Sequence, residues 1–203
     1  MIKKILLICS IICAGVVLKA GETDHEFEKM LREKSVEITT IKCDFRQVRT
    51  MAVLAEDATK AGKFTYKRPG NILLAFDDGD YIRMSETDFS IRNAGVVTDV
   101  KVGANPMLKE LKRMLSACMT GDIAAMSSGF NMAVSEEDGS YVVDLTPVKG
   151  RGSARMKAVT MYFDKSDMSL SGLVLEEPSG DSIRYEFSNK KFNVEVSEET
   201  FRR

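Results

Sequence analysis

The sequence predicts a mainly β protein of the α+β class, in which one large antiparallel sheet of about eleven strands is interrupted by a helical hairpin. Two observations support this prediction. Short segments with an apolar residue at every second position recur along most of the chain, separated by turns that contain Gly, Pro, Asn or Asp. Between residues 105 and 126 the apolar spacing changes to that of an α-helix.

The first residues have the pattern of an export signal. The segment Met1-Ile2-Lys3-Lys4 is positively charged, residues 5–18 are almost entirely apolar, and the small residue Ala20 follows. The apolar run is shorter than the roughly 20 residues that a membrane-spanning helix needs. We therefore expect residues 1–20 to be a signal peptide that is cut near Ala20. Lipid anchoring at Cys13 is the minor alternative, because bulky residues precede that cysteine.

The remaining residues, 21–203, are expected to form one exported domain. Loss of Lys3, Lys4 and Lys19 with the signal leaves 26 of the 29 basic residues against 30 acidic ones, a net charge of −4. This charge gives no reason to expect nucleic acid as a partner. Because the chain has one histidine, His25, and no cluster of Cys or His, we expect no metal site and no cofactor.

The mature chain begins with a short amphipathic helix and a strand. Thr23 or Asp24 can cap the helix, in which Phe27 and Leu31 lie one turn apart on an apolar stripe. From Ile38 onward the period is two, which predicts a strand with one apolar face. That face carries Ile41, Cys43 and Phe45.

The second strand places an arginine on its apolar face. It follows Ala61 and carries Phe64, Tyr66 and Arg68 on the same side, before the turn Pro69-Gly70. Such an arginine either finds acceptors, for example the carbonyls at the C-terminal end of a helix, or bends into solvent at the turn. The spacing favours neither outcome. A third strand follows with Ile72, Leu74 and Phe76 on its apolar face.

A helical hairpin follows three short strands. These strands are Tyr81–Ser85, Phe89–Arg92 and Val96–Val100. The hairpin starts at Asn105-Pro106, and its first helix ends at Thr120-Gly121, where glycine can take the left-handed conformation. Asp122 can cap a second helix that runs to Met126. One continuous apolar stripe along the first helix consists of Met107, Leu108, Leu111, Met114, Leu115, Cys118 and Met119.

Five further strands complete the predicted sheet, with a hairpin turn at Glu136–Gly139. A curved sheet of this length has an apolar concave face, which the 107–119 helix is placed to cover. The stripe of an amphipathic helix usually just fills the core, whereas its methionines also suit a surface that repacks around apolar ligands. Both interpretations stay open on the pattern alone. The five strands are Phe130–Ser135, Tyr141–Thr146, Met156–Phe163, Leu170–Glu176 and Ile183–Phe187.

A series of short motifs runs along nearly the whole mature chain. They are Phe45-Arg46-Gln47, Tyr66-Lys67-Arg68-Pro69-Gly70, Leu74, Thr120-Gly121-Asp122, Leu145-Thr146-Pro147, Phe163-Asp164, Glu177-Pro178-Ser179-Gly180-Asp181, Tyr185-Glu186-Phe187-Ser188-Asn189, Asn193 and Phe201. These motifs resemble those of the outer-membrane lipoprotein carrier family, LolA, which implies a location in the periplasm. Each motif is weak alone, but their order and the order of the predicted elements agree with the family.

The resemblance implies an unclosed, strongly curved half-barrel with a helical lid over its concave face. It also implies a function, that of a monomeric shuttle that accepts acylated lipoproteins from an inner-membrane release transporter and delivers them to an outer-membrane acceptor. Arg68 falls on the family's key arginine, which holds the lid shut through hydrogen bonds to helix carbonyls. We expect these to be carbonyls of the 107–119 lid. The residues expected around the acyl chains are Phe45, Phe64, Tyr66, Leu74, Phe76, Met107, Leu108, Leu111, Met114, Leu115 and Met119.

Some features depart from the family or leave alternatives open. Leu74 stands where the family often has Trp, so the cavity wall is altered. Cys43 and Cys118 both fall on inward faces, and they are either a disulfide that tethers the lid or two buried thiols. A lipid or glycolipid carrier, or an envelope sensor, is an alternative function on the same fold. We expect no enzymatic activity, since no Gly-x-Ser-x-Gly motif or metal-ligand spacing is present.

Overall fold

The computed structural model describes residues 20–54, 56–85, 88–100, 106–148 and 156–202. The predicted signal peptide therefore lies outside the described residues except for Ala20. Of the helices in these ranges, none is both long enough and apolar enough to span a membrane.

Eleven antiparallel strands form a single sheet, in the order β6-β5-β4-β3-β2-β1-β11-β10-β9-β8-β7. No pairing joins β6 to β7 among the described residues, so the sheet is not closed into a barrel, and the predicted fold class is confirmed. The strands are β1 (Thr40–Thr50), β2 (Ala58–Lys67), β3 (Asn71–Phe76), β4 (Tyr81–Met84), β5 (Phe89–Asn93), β6 (Val96–Val100), β7 (Phe130–Glu137), β8 (Ser140–Pro147), β9 (Ala158–Asp164), β10 (Leu170–Glu176) and β11 (Ser182–Phe192).

Alternating burial gives the sheet one apolar face. In β3 and β9 every second residue is buried, as the period of two predicts. The first and last strands of the chain, β1 and β11, pair at the centre of the sheet, with Phe45 opposite Phe187. The other strands extend outward on both sides as two meanders, and the buried residues of β1–β5 and β7–β11 meet in one core, whereas the described side chains of β6 are exposed.

Within the described ranges, three α-helices accompany the sheet: α1 (Ala20–Glu37), α2 (Pro106–Thr120) and α3 (Ile123–Ser127). The predicted cap of α3 is present, because the Asp122 carboxylate accepts a hydrogen bond from the Ala125 amide at 2.9 Å. A short 3₁₀ helix, Glu198–Phe201, follows the last strand.

Helix α1 crosses the concave face and is much longer than the short lead-in that the sequence predicts. Near its start, Asp24 accepts a hydrogen bond from the Val134 amide of β7. Phe27 packs edge-on against Phe163 of β9, with ring centroids 5.1 Å apart. The far end of the helix leads directly into β1. Helix α1 therefore belongs to the cover over the sheet, together with α2.

Candidate functional site

The sheet contributes an aromatic and aliphatic wall to the candidate site. The five residues predicted on β1, β2 and β3 are all buried on the concave face: Phe45, Phe64, Tyr66, Leu74 and Phe76. The Phe45 and Phe76 rings meet edge to face at 5.1 Å, and Phe64 meets Phe187 of β11 in the same way at 5.2 Å. Such contacts fix the rings in place and keep the wall continuous across four strands.

Helix α2 contributes the opposite surface. Leu111, Met114, Leu115 and Met119 are buried in the same core cluster as the sheet residues. The side chains of the other two predicted members, Met107 and Leu108, lie outside the described residues. The structure therefore brings most of the predicted set together, and in this state the helix and the sheet pack directly on each other.

A cavity lies between the end of α2 and the central strands. Its volume is about 10 Å³, room for about one water molecule. Ligand pockets usually measure about 300–1,000 Å³, so an acyl chain can enter only if the helices move away from the sheet. The cavity is lined by Ile41, Cys43, Phe64, Met119, Ser169, Leu170, Phe187 and Lys190.

Several of these lining residues were not predicted to form the site. Ile41 and Phe187 could have been included, since both follow the alternation of their strands. Ser169 and Lys190 lie beside irregularities in strand pairing, which alternation does not reveal.

Arg68 turns inward and binds carbonyls at the C-terminal end of α1. Its Nε donates to the Ile38 carbonyl at 3.0 Å, and its NH2 donates to the Ser35 carbonyl at 2.5 Å. The Ser35 carbonyl lies in the last turn of α1, where it also accepts from the Ile38 amide at 3.1 Å, and the Ile38 carbonyl directly follows the helix. A guanidinium is well suited to carbonyls at a helix end. Arg68 therefore fastens the end of α1 to the turn after β2.

The partner of Arg68 corrects the expectation from sequence, which placed the acceptors on the 107–119 helix. Strand β1 follows α1 after two residues and pairs antiparallel with β2, so Thr40 lies opposite Lys67. The start of β1 and the end of β2 are consequently adjacent, and the Arg68 amide donates to the Thr39 carbonyl at 2.9 Å. The register between β1 and β2 therefore places Arg68 beside the C-terminal end of α1.

Ser35 connects this contact to α2. Its carbonyl accepts from Arg68, while its Oγ donates to the carbonyl of Thr120 at the end of α2, at 3.0 Å. The next residue, Gly121, has a φ of +67°, and a Cβ there would lie 2.4 Å from the Ser35 Oγ. The ends of α1 and α2 therefore meet without a side chain between them, and one arginine is linked to both helices. We call Arg68, Ser35, Thr120 and Gly121 the latch.

Beneath the helices, Tyr66 carries a buried hydroxyl that has no hydrogen-bond partner among the described residues. Burial raises the pKa of this phenol, with nearby Arg68 acting in the opposite direction. An unpaired buried hydroxyl costs about 1–3 kcal/mol.

Replacing Tyr66 with phenylalanine should therefore raise the free energy of unfolding by about 1 kcal/mol, as measured by urea denaturation. Tyr185 is the matched control, because its hydroxyl accepts a hydrogen bond from Gln47 Nε2 at 2.8 Å. Tyr185→Phe should lower stability by about 1 kcal/mol. Equal losses in both variants would show that the Tyr66 hydroxyl is satisfied.

Cys43 and Cys118 are buried free thiols. Cys43 lines the cavity, and the Cys118 thiol donates a weak hydrogen bond to the Met161 sulfur at 3.5 Å. Burial raises the pKa of Cys43 to about 12 and also raises that of Cys118. Both thiols are therefore protonated, and poorly reactive, while the helices cover them.

The raised pKa of Cys43 predicts a loss of stability at alkaline pH. The unfolded thiol ionises near 9 and the folded thiol only near 12, so this contribution is complete below pH 9 and is lost between pH 9 and 12. At pH 10 the loss amounts to about 1 kcal/mol. Urea denaturation at pH 7.5 and 10 should show a smaller pH effect in Cys43→Ala than in the wild type. Equal pH effects in Cys43→Ala and the wild type would contradict the raised pKa of Cys43.

Comparison with known proteins agrees with this architecture. The family model described as outer membrane lipoprotein carrier protein LolA matches residues 36–203. None of the curated proteins matches the chain. Two solved structures share the fold at very low sequence identity. A DUF1329 family protein from Desulfovibrio piger has a TM-score of 0.51 and 11% identity, over 91% of this chain and 98% of that one.

The second is an uncharacterized conserved protein from Thermus thermophilus, with a TM-score of 0.52 and 8% identity over 89% of this chain and 93% of that one. A putative outer membrane lipoprotein-sorting protein domain from Vibrio parahaemolyticus gives 0.49 and 11%, over 91% and 97%.

Proposed function

Because the chain belongs to the outer membrane lipoprotein carrier protein LolA family, we propose that it is an exported carrier of acylated lipoproteins. In this proposal it receives the cargo from an inner-membrane release transporter, crosses the periplasm as a monomer, and passes the cargo to an outer-membrane acceptor. The acyl chains lie between α2 and the concave face of the sheet. No catalytic residue or cofactor takes part.

The observation that supports the proposal most is the contrast between the packing under the helices and the contacts at their ends. Under α2 the contacts are almost entirely apolar, and apolar packing can exchange one hydrocarbon for another at little cost. At the ends of α1 and α2, by contrast, the latch supplies specific hydrogen bonds, from Arg68 to the end of α1 and from Ser35 of α1 to the end of α2. Such a cover can open around an acyl chain and close again when the chain leaves.

The energies are of the right order for a reversible cycle. Each acyl methylene transferred from water to the cavity contributes about 0.8 kcal/mol. Each hydrogen bond from a charged donor contributes about 1.5–3 kcal/mol to the closed state. The latch therefore opposes loading and favours release, since a ligand shifts the equilibrium only by its differential affinity for the two states.

Mass spectrometry of the mature protein, purified from its own envelope fraction without detergent, tests the proposed cargo. We expect an acylated polypeptide to copurify in a defined ratio and to be lost when the protein is denatured. Copurification of a free lipid or glycolipid alone would instead identify a carrier of another lipid. An empty protein, even after incubation with a triacylated lipopeptide, would contradict acyl binding altogether.

A further inference from the structure

The cavity between α2 and the central strands has a largely apolar lining that includes two polar residues, Ser169 and Lys190. The Lys190 side chain is only 12% exposed. A charged side chain in an apolar lining loses hydration, so its position calls for a partner that compensates this loss.

A β-bulge directs Lys190 to the concave side. Lys42 pairs with Lys191, but Asp44 pairs with Ser188, so two residues of β11 oppose Cys43. The first of the two, Asn189, has a φ of +54°, a conformation that asparagine tolerates better than most residues. Strict alternation after Phe187 would turn Asn189 inward and Lys190 outward. The extra residue reverses this, and Lys190 reaches the cavity.

Two hydrogen-bond donors, Lys190 and Ser169, line the cavity, whereas the neighbouring carboxylates do not. Lys190 Nζ donates to the Ser169 hydroxyl at 2.5 Å and lies 3.7 Å from an Asp167 carboxylate oxygen. Asp167 accepts from the Ser169 amide at 2.8 Å and from its hydroxyl at 2.5 Å. The nearby Asp164 carboxylate accepts from the amide and hydroxyl of Ser166. Neither carboxylate belongs to the cavity lining.

An ammonium has three donor hydrogens. The contact with Ser169 is a hydrogen bond, whereas 3.7 Å to the Asp167 oxygen is beyond hydrogen-bond distance, so Lys190 Nζ retains donor capacity. From this geometry we infer that Lys190 binds the anionic head of an acyl ligand, a carboxylate or a phosphate, while the chain extends inward along Phe64 and Phe187. This inference rests on the proposed acyl binding and goes beyond the lipoprotein cargo. The ester and amide groups of lipoprotein acyl chains are uncharged, so a lipid with a free carboxylate or phosphate is a second class of ligand for the same space. Asp167 competes with the ligand for the same ammonium and weakens its binding.

Equilibrium dialysis with three 16-carbon probes tests the inference: palmitate, hexadecyl phosphate and hexadecanol, each below its micelle concentration at pH 8. The wild type should bind at least one of the two anions roughly tenfold more tightly than the alcohol, since hydrogen bonds to charged groups are about twice as strong as neutral ones. The anion that binds more tightly shows whether the site is matched to carboxylate or to phosphate.

Lys190→Gln should remove the preference for the anion, so that the three probes bind with similar affinity, and an unchanged urea midpoint shows that the variant is folded. Lys190→Arg should restore the preference, and Asp167→Asn should increase it. An equal affinity of the wild type for all three probes, or a preference that survives in Lys190→Gln, would overturn the head-group site while acyl binding stands. If the wild type bound none of the probes, acyl binding itself would be contradicted.

Discussion

Replacing Arg68 with leucine should produce a carrier that loads but does not release. The variant loses both hydrogen bonds to the end of α1, and we expect the closed state to weaken by roughly 2–4 kcal/mol. A loaded state that no longer competes with a stable closed state retains its cargo. The dissociation rate of a fluorescent triacylated lipopeptide into acceptor vesicles should therefore fall by at least about tenfold.

The same substitution should expose the covered thiols. In the wild type, Cys118 reacts only when the helices open, and its labelling rate at pH 8 measures that opening. The Arg68→Leu variant should label much faster. Arg46→Leu is the control, since Arg46 forms only an exposed pair with Glu186, which contributes little to stability. Release and labelling rates in Arg68→Leu that equal those of the control would contradict the latch.

Replacing Gly121 with alanine should give the second large effect, by separating the ends of α1 and α2. The new Cβ would lie 2.4 Å from the Ser35 Oγ, 3.0 Å from the Arg32 Cα and 3.1 Å from the Leu31 carbonyl. The left-handed φ of +67° costs about 1–2 kcal/mol for alanine, and relieving the overlap adds about 1–3 kcal/mol. The free energy of unfolding should fall by roughly 3 kcal/mol.

The variant Gly79→Ala separates the backbone cost from the cost of relieving the overlap. Gly79 has a φ of +88°, but in the described part of the chain no atom beyond its own backbone and its two neighbouring residues lies within 4 Å of the position that a Cβ would take. Gly79→Ala should therefore show only the backbone cost, about 1–2 kcal/mol, with no change in the labelling of Cys118. Gly121→Ala should show the larger loss together with faster labelling. Similar results for the two variants would mean that close contact between the helix ends is unimportant.

The sheet could be predicted because its signal is local. Apolar residues at every second position, as in β3, together with turn residues between the segments, define all eleven strands without knowledge of their neighbours. The same holds for the stripe of α2, where Leu111, Met114 and Leu115 lie on one helical face. Which residues face inward follows from these periods, so most of the candidate site was available from sequence.

The contacts that join distant segments could not be predicted from local periodicity. Arg68 was correctly suspected of binding helix carbonyls, but its actual partner depends on the pairing of β1 with β2. The bond from Ser35 to Thr120 links residues 85 positions apart. Lys190 faces the cavity because of a bulge, and one extra residue in a strand inverts every prediction based on alternation.

In the proposed function, acyl chains occupy the space between α2 and the concave face of the sheet. Photo-crosslinking tests it most directly, with a triacylated lipopeptide that carries a diazirine near the end of one acyl chain, followed by peptide mapping. We expect crosslinks to Phe45, Phe64, Met114 and Leu115, all of which are buried between helix and sheet. Crosslinks confined to outward-facing residues such as Arg46 and Lys63, with none on the buried set, would contradict the claim.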